Sequence, residues 1–283
     1  DWMSEETKAK AIEKLEKFTV KIGYPDKWKD YSTMAVAEDK SFYENMKAVK
    51  QWNWEENLSK VNKPVDRTEW GMTPQTVNAY FSPLNNEIVF PAAILQPPFY
   101  DYKADEAVNY GGMGAVIGHE ISHAFDDSGS RFDAEGNLVN WWTDQDLENF
   151  TQRAKRLADQ YSEIEVWDGV FINGEFTLGE NIGDLGGVLG AYDGLQRYFE
   201  EHGRPEDIDG FTAEQRFFIS WATIWRTKMR EEALRNQVKT DPHSPGQVRA
   251  TQPLLNVDAF YDAFDIQPED AMYLAPEDRV RIW

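Results

Sequence analysis

The chain has 283 residues, of which 41% are hydrophobic and 14% aromatic, so a sizeable core in one large domain or two small ones is feasible. Its formal net charge of -21 argues against nucleic-acid binding, which needs a basic face, and disfavours docking on an anionic membrane. The absence of cysteine excludes a disulfide framework and thiolate metal sites, so His, Asp or Glu must supply any metal ligands.

The N-terminal part of the chain is predicted to be helical. Ser4 is a candidate N-cap, and Ile12, Leu15 and Phe18 recur at helical spacing, which predicts a helix over residues 4–18. A Gly-Tyr-Pro sequence then interrupts the pattern, and further helical patches follow it.

Two short β-prone segments come next, at residues 77–81 and 87–90. The residues between them, Ser-Pro-Leu-Asn-Asn, have the composition of a turn. This pattern predicts a hairpin or two edge strands.

The remainder of the chain is predicted to be mainly helical. The predicted helices cover residues 111–125, 143–161 and 180–192, with a fourth that begins after residue 212. Thr143 with Asp146, and Thr212 with Gln215, resemble capping boxes at two of these helix starts. The fold class predicted from all these elements is α+β, mainly helical, with a small sheet.

The segment VIGHEISHAFDD, residues 116–127, carries two histidines one helical turn apart. On a helix, His119 and His123 share one face, so their imidazoles are able to converge on one cation. Glu120 borders this face without joining it, which places it within reach of a water on the metal. Neutral imidazoles suit zinc, which brings the pKa of a bound water down to about 7. The alternative is a pair of core histidines beside a solvated glutamate.

A catalytic zinc needs a third protein ligand and an open fourth position. The segment GENIGDLGG, residues 179–187, places Glu180 and Asp184 one helical turn apart. One carboxylate is able to bind the metal while the other orients a ligand histidine through its ring N–H. The alternative is two exposed acids on a helix.

Together these motifs resemble those of the neprilysin family of zinc metallopeptidases, and they occur in the family's order. The similar segments are NAY at 78–80, NEIVFPAAILQPPFY at 86–100, NYGGMGAVIGHEISHAFDD at 109–127, GENIGDLGG at 179–187, DPHSPGQVR at 241–249 and the terminal Trp283. The resemblance implies a thermolysin-like zinc metallopeptidase catalytic domain. The absence of cysteine indicates a bacterial member.

The resemblance also implies roles for the residues of the metal motifs. The implied ligands of a single zinc ion are His119, His123 and Glu180. Glu120 would be the general base that activates a zinc-bound water, and it would later shuttle the proton. Asp184 would orient a ligand histidine, for which His119 is the first candidate, and Asp126 would similarly support His123.

Outside the metal motifs, the resemblance implies contacts with a peptide substrate. Asn78 and Ala79 would pair with the substrate backbone as a neighbouring strand does. His243 would stabilise the oxyanion, and Arg249 would hold a substrate carbonyl beyond the scissile bond. The pocket for the side chain after that bond would be lined by Ile94, Phe99, Val116 and Trp225. From the residues alone, His243 is equally a surface-loop histidine, and Trp225 is equally a core aromatic.

Family members carry a large helical N-terminal domain that covers the active site and restricts substrates to oligopeptides. We therefore expect residues 1–60 to be a helical lead-in, residues 61–283 to be the catalytic domain, and the lid domain to be a partner in the same or a separate chain. No apolar run approaches the roughly 20 residues that span a bilayer. A cytoplasmic location is favoured, with secretion or the cell surface as alternatives because Asp1 is not an initiator methionine.

The sequence thus predicts a zinc-dependent endopeptidase that hydrolyses oligopeptides on the amino side of large hydrophobic residues. The alternative from another class is a non-catalytic module that binds peptides or partners without hydrolysing them. A third interpretation is a zinc hydrolase that acts on a non-peptide amide.

Overall fold

The computed structural model describes residues 2–283, in which α-helices predominate. Within these residues the helices are α1 (Glu5–Glu16), α2 (Phe42–Ser59), α3 (Glu106–Asn109), α4 (Ala115–Ser122), α5 (Asp144–Ser162), α6 (Leu178–His202), α7 (Ala213–Ile224), α8 (Glu231–Thr240), α9 (Gly246–Thr251) and α10 (Asp258–Phe264). The strands are β1 (Thr19–Gly23), β2 (Tyr80–Ser82), β3 (Glu87–Pro91), β4 (Glu165–Trp167) and β5 (Val170–Phe171). The predicted fold class, mainly helical with a small sheet, is confirmed.

The larger sheet has three strands in the order β1–β3–β2, with the fully buried β3 at its centre. Strands β2 and β3 pair antiparallel, with Tyr80 opposite Val89, which confirms the predicted hairpin. Strand β2 begins at Tyr80, so Asn78 and Ala79 lie just before it rather than within it. Strand β1 pairs parallel with β3, which the local sequence pattern did not indicate.

Helix α1 buries a polar face. The helix begins as predicted, because the Ser4 hydroxyl accepts a hydrogen bond from the Thr7 backbone N–H. However, Ile12 and Leu15 are 53% and 41% exposed, whereas Thr7 and Lys14 are fully buried. The apolar spacing identified the helix but not its packed face, because the partners of Thr7 and Lys14 lie more than a hundred residues further along the chain.

Asp146 connects the start of α5 to α1. Its carboxylate accepts hydrogen bonds from the hydroxyls of Ser4, Thr7 and Thr143 and from the Ser4 backbone N–H. The Thr143 hydroxyl accepts from the Asp146 N–H, which is one half of the predicted capping box. The other half of a capping box is a bond from the Thr143 N–H to the Asp146 carboxylate. That part of the prediction is wrong, because the Thr143 N–H donates to Thr7 Oγ1.

Asp146→Asn is expected to lower the free energy of unfolding by about 2 kcal/mol near neutral pH, because hydrogen bonds to a charged group contribute about 1.5–3 kcal/mol. Burial opposes the charge, but the four donors outweigh it and lower the pKa of Asp146 to about 2. An unfolded aspartate has a pKa of about 3.9, so this stabilisation is complete above about pH 5 and is lost as the pH falls toward 2.

Urea unfolding of both proteins from neutral pH down to about pH 3 measures this difference. Asp144→Asn is the control, because Asp144 lies in the same first turn of α5 but is exposed. A difference between the wild type and Asp146→Asn that does not shrink with falling pH would contradict the assignment.

Helices α4 and α6 touch through their backbones. A Cβ added at Gly118 would lie 2.8 Å from Gly187 Cα, and a Cβ added at Gly187 would lie 2.5 Å from the Ala115 carbonyl oxygen. Side chains at these two positions would push the helices apart, since backbone atoms have no free rotamer with which to move aside. This close approach places the histidine motif of α4 against the acidic motif of α6.

Contacts divide the described residues into two compact units. One consists of residues 2–23 together with 75–283, and the other is Tyr24–Pro74, which contains α2. The predicted boundary at residue 60 stays a prediction, and residue 1 of the predicted lead-in lies outside the described residues. None of the helices in residues 2–283 is both long enough and apolar enough to cross a membrane.

Candidate metal centre

The two motif histidines lie at the C-terminal end of α4. A five-residue π-helix, Tyr110–Gly114, precedes α4, so the helix predicted over residues 111–125 consists of two segments and ends at Ser122. His123 is the residue that follows, and its Nε2 lies 3.0 Å from Nε2 of His119. The four-residue spacing therefore brings both Nε2 atoms to one point.

Glu180 approaches the same point from the first turn of α6. Its Oε2 lies 3.3 Å from His119 Nε2 and 3.7 Å from His123 Nε2. Potential ligand atoms of these three residues all lie within 4.8 Å of one another, and no other group of three histidine or acidic side chains in residues 2–283 meets in this way.

Each of the two histidines has a carboxylate behind it. His119 Nδ1 lies 2.9 Å from Asp184 Oδ1, and His123 Nδ1 shares a 2.7 Å hydrogen bond with Asp126 Oδ2. When the Nδ1 protons point to these carboxylates, both Nε2 atoms present lone pairs toward Glu180. Three hydrogen-bond acceptors then face one another, an arrangement that a bound cation would stabilise.

The buried charges at this point stabilise one another. Burial acts to raise the pKa of Glu180, but the imidazoles of His119 and His243 hold it well below its usual range. Burial opposes the imidazolium of His119, but Asp184 and Glu180 raise its pKa above the ordinary value. Burial likewise acts against ionised Asp184, and Arg249 keeps the pKa of that carboxyl low. Both carboxyl groups are therefore ionised, which is the form that binds metals and orients histidine ligands.

The converging acceptors fit a zinc ion. Glu180 Oε2 is buried and has no well-directed hydrogen-bond donor among residues 2–283. Tetrahedral zinc with bonds of about 2.0–2.1 Å holds its ligand atoms about 3.3 Å apart. The observed separations of 3.0, 3.3 and 3.7 Å lie around that value. Two imidazoles and one carboxylate are also a donor set found in catalytic zinc sites with an open position.

Glu120 lies beside this cluster and is only 5% exposed. Burial raises the pKa of its carboxyl above the ordinary value, although His119 and His123 act in the opposite direction. A buried carboxyl beside a group of candidate metal ligands is a candidate for proton transfer.

His243 reaches the cluster from the loop between α8 and α9. Its Nε2 lies 3.1 Å from Glu180 Oε2, and its Nδ1 shares a 2.7 Å hydrogen bond with Asp241 Oδ1. The contact with Glu180 raises the pKa of His243, and burial opposes the shift. The sequence interpretation assigned no role to Asp241. The Asp-Pro-His spacing could have indicated this contact, because the Asp241 carboxylate also accepts a hydrogen bond from the His243 backbone N–H.

A buried chain of polar side chains fixes the His243 loop against α6, and the sequence did not predict it. Ser244 Oγ donates to Asn181 Oδ1 at 2.9 Å, and Asn181 Nδ2 donates to Thr177 Oγ1 at 2.9 Å. Asn181 adjoins Glu180, so one turn of α6 positions both the candidate ligand and the loop that faces it.

Arg249 is buried behind the cluster. Its Nε and Nη2 donate to the Asp184 carboxylate at 2.8 and 2.6 Å, and its guanidinium carbon lies 3.7 Å from the centre of the Trp225 ring. Its Nη1 makes no hydrogen bond within residues 2–283, so this is the nitrogen left for the predicted contact with a substrate carbonyl.

The other predicted substrate residues lie on the same unit. Asn78 is exposed and Ala79 is buried, immediately before the edge strand β2. The four predicted pocket residues belong to one hydrophobic core or pack against it: Ile94, Phe99, Val116 and Trp225. Their contacts with a substrate stay predictions.

Two family models match the chain, both described as Peptidase family M13. One matches residues 78–280 and the other residues 1–25. The chain is 41% identical to a neutral endopeptidase of Lactobacillus helveticus over 284 residues, and 39% identical to neprilysin of Mus musculus over 295 residues. These alignments cover 100% of this chain but 42% and 39% of the relatives, so the chain spans less than half their length.

Two solved structures are also similar to this chain. A crystal structure of a Mycobacterium tuberculosis zinc metalloprotease in complex with an inhibitor matches with 51% identity and a TM-score of 0.97, over 100% of this chain and 44% of that one. The structure of PepO from Lactobacillus rhamnosis matches with 39% identity and a TM-score of 0.87, over 99% and 43% of the two chains. Because a family model matches most of its length, the chain belongs to peptidase family M13, which confirms its resemblance to neprilysin.

Proposed function

We propose that this chain carries the catalytic centre of a zinc-dependent endopeptidase that hydrolyses oligopeptides. The observation that carries the proposal is the convergence of two imidazoles and one carboxylate beside the buried Glu120. The greater length of the relatives supports a lid domain as a further partner, in the same or a separate chain.

His119, His123 and Glu180 would hold the zinc ion, which when bound supplies a Lewis acid that activates water and polarises the scissile carbonyl. Glu120 takes a proton from the attacking water as the water oxygen bonds to the carbonyl carbon. It gives that proton to the amine nitrogen as the C–N bond breaks, so Glu120 ends the cycle ionised as it began.

In this proposal, His243 acts on the oxygen of the scissile carbonyl. The 2.7 Å hydrogen bond from Nδ1 to Asp241 fixes the ring, and Nε2 faces the cluster 3.1 Å from Glu180. A donor fixed in this way stabilises the oxyanion that forms in the tetrahedral intermediate, and it needs little reorganisation to do so.

The substrate is proposed to lie extended along β2, with its backbone paired to Asn78 and Ala79. Arg249 Nη1 would donate to a carbonyl beyond the scissile bond. Cleavage on the amino side of large hydrophobic residues is proposed from the family resemblance, and the four predicted pocket residues are apolar and lie in or against one core. Those residues are Ile94, Phe99, Val116 and Trp225.

A set of quenched peptides that differ only in the residue after the scissile bond tests this proposal. We expect about one zinc per chain, chelator-sensitive cleavage that added zinc restores, and faster cleavage before Phe or Leu than before Gly or Asp. Mass spectrometry of the products locates the cleaved bond. Folded protein that holds zinc and binds the peptides but cleaves none of them would support the non-catalytic alternative.

A further inference from the structure

Lys14 of α1 places a positive charge in the interior, beneath the chain that follows His123. The residue is 1% exposed. Its Nζ donates to the carbonyl oxygens of Ala124, Gly129 and Phe132 at 2.7, 2.8 and 2.7 Å. A lysine ammonium has three N–H donors, so all of them are used on this one stretch, residues 124–132.

The stretch that Lys14 holds carries Asp126, the carboxylate behind His123. Asp126 Oδ1 accepts from the backbone N–H groups of Ser128 and Gly129 at 2.8 and 2.7 Å, and Oδ2 bonds to His123 Nδ1 at 2.7 Å. Gly129 is therefore bound twice, by its N–H to Asp126 and by its carbonyl to Lys14. The direction of the Asp126 carboxylate thus depends on a backbone that Lys14 fixes from below.

The aromatic rings around Lys14 attract its charge, whereas burial disfavours it. The rings of Phe81, Phe125 and Trp141 lie 5.6–5.9 Å from Nζ. Burial lowers the pKa of Lys14 to about 8, although the negative charge of Asp126 acts in the opposite direction. A buried ammonium costs free energy unless each of its donors is satisfied, and here three carbonyl oxygens satisfy them.

We propose that Lys14 is a positioning residue of the metal centre, acting through residues 124–132 and Asp126 on the orientation of His123. This inference rests on the proposed zinc site. Residues 1–25 would then contribute to the support of that site. The family model that matches them is not the one that matches residues 78–280.

Lys14→Met tests the proposal, because methionine is nearly as long as lysine but donates no hydrogen bond. Zinc affinity is measured by competition with a chromophoric chelator, at a temperature at which circular dichroism shows the native fold. We expect the affinity to fall about tenfold, the lower end of the effect of removing support behind a ligand. Lys10→Met on the same helix is the control and should change the affinity by less than about twofold, because Lys10 pairs with Glu13 at the surface.

A double-mutant cycle with Asp126→Asn separates positioning from general stabilisation. If Lys14 acts through Asp126, zinc affinity in the double variant should equal that of Asp126→Asn within about twofold. Additive losses, or a Lys14→Met protein that is less stable yet binds zinc as the wild type does, would overturn the role of Lys14. A wild-type protein that binds no zinc would instead overturn the proposed function, and the inference with it.

Lys14→Arg is the second variant if Lys14→Met does not fold. It keeps the charge, but a planar guanidinium does not match three carbonyls arranged around an ammonium. We expect a folded protein with weakened zinc binding, and wild-type affinity in this variant would overturn the proposal.

Discussion

Glu120→Gln is expected to leave zinc bound while kcat on a quenched peptide falls by about 10³-fold, because a positioned general acid–base contributes about 10²–10⁴-fold. Glutamine fills the same buried space but does not accept the proton of the attacking water. KM should change little, since the side chain acts on the transition state rather than on binding of the substrate. Stopped-flow or steady-state fluorescence gives kcat, and metal analysis gives the zinc content.

Glu200→Gln provides the matched control, because Glu200 is an exposed residue of α6 outside the cluster. This variant should retain both zinc and activity. Wild-type activity in Glu120→Gln would remove Glu120 from the mechanism. Loss of zinc together with activity would show that Glu120 supports the metal rather than moves the proton.

Gly187→Ala is expected to lower the free energy of unfolding by about 3 kcal/mol, since overpacking a close contact costs about 1–3 kcal/mol and backbone atoms relax less than side chains. The added Cβ would lie 2.5 Å from the Ala115 carbonyl oxygen and 2.7 Å from the His119 backbone nitrogen. Relief requires α4 and α6 to separate, which moves Glu180 away from His119. We therefore expect at least tenfold weaker zinc binding as well.

The control for this variant is Gly190→Ala in the same helix, because a Cβ there meets no atom within 4 Å. Helix propensity predicts that this change stabilises the protein by about 0.5–1 kcal/mol and leaves zinc binding unchanged. Thermal unfolding and the chelator competition compare the two variants. Equal zinc affinity in both would show that the separation of the helices does not control the metal centre.

Much of the candidate site follows from spacing within single helices. The four-residue interval between His119 and His123 brings their Nε2 atoms together, and the interval between Glu180 and Asp184 places one carboxylate at the cluster and the other behind His119. The contact between His119 and His123 depends on helical geometry, which the local sequence specifies, whereas the contacts of Glu180 and Asp184 with His119 also need the close approach of α4 and α6. The resemblance to neprilysin added the residues from distant segments, because no local pattern relates His243 to α6.

Features that depend on tertiary partners could not be predicted in this way. The spacing of Ile12 and Leu15 predicted α1 correctly, yet the residues that face inward are Thr7 and Lys14. A capping box was predicted at the start of α5, but the Asp146 carboxylate is occupied by α1. In both cases a polar group is buried because a distant segment completes its hydrogen bonds, and nothing in the local sequence identifies that segment.

The polar face of α1 also bears on the order in which the chain folds during synthesis. Thr7 and Lys14 find partners 139 and 110 residues further along, and the Trp2 indole donates to the Ile282 carbonyl 280 residues away. Such contacts form slowly, because the entropy of closing a long loop is lost before the contact stabilises anything. Helix α1 is thus made before its partners, and a nascent chain that ends before residue 124 leaves both Thr7 and Lys14 in water.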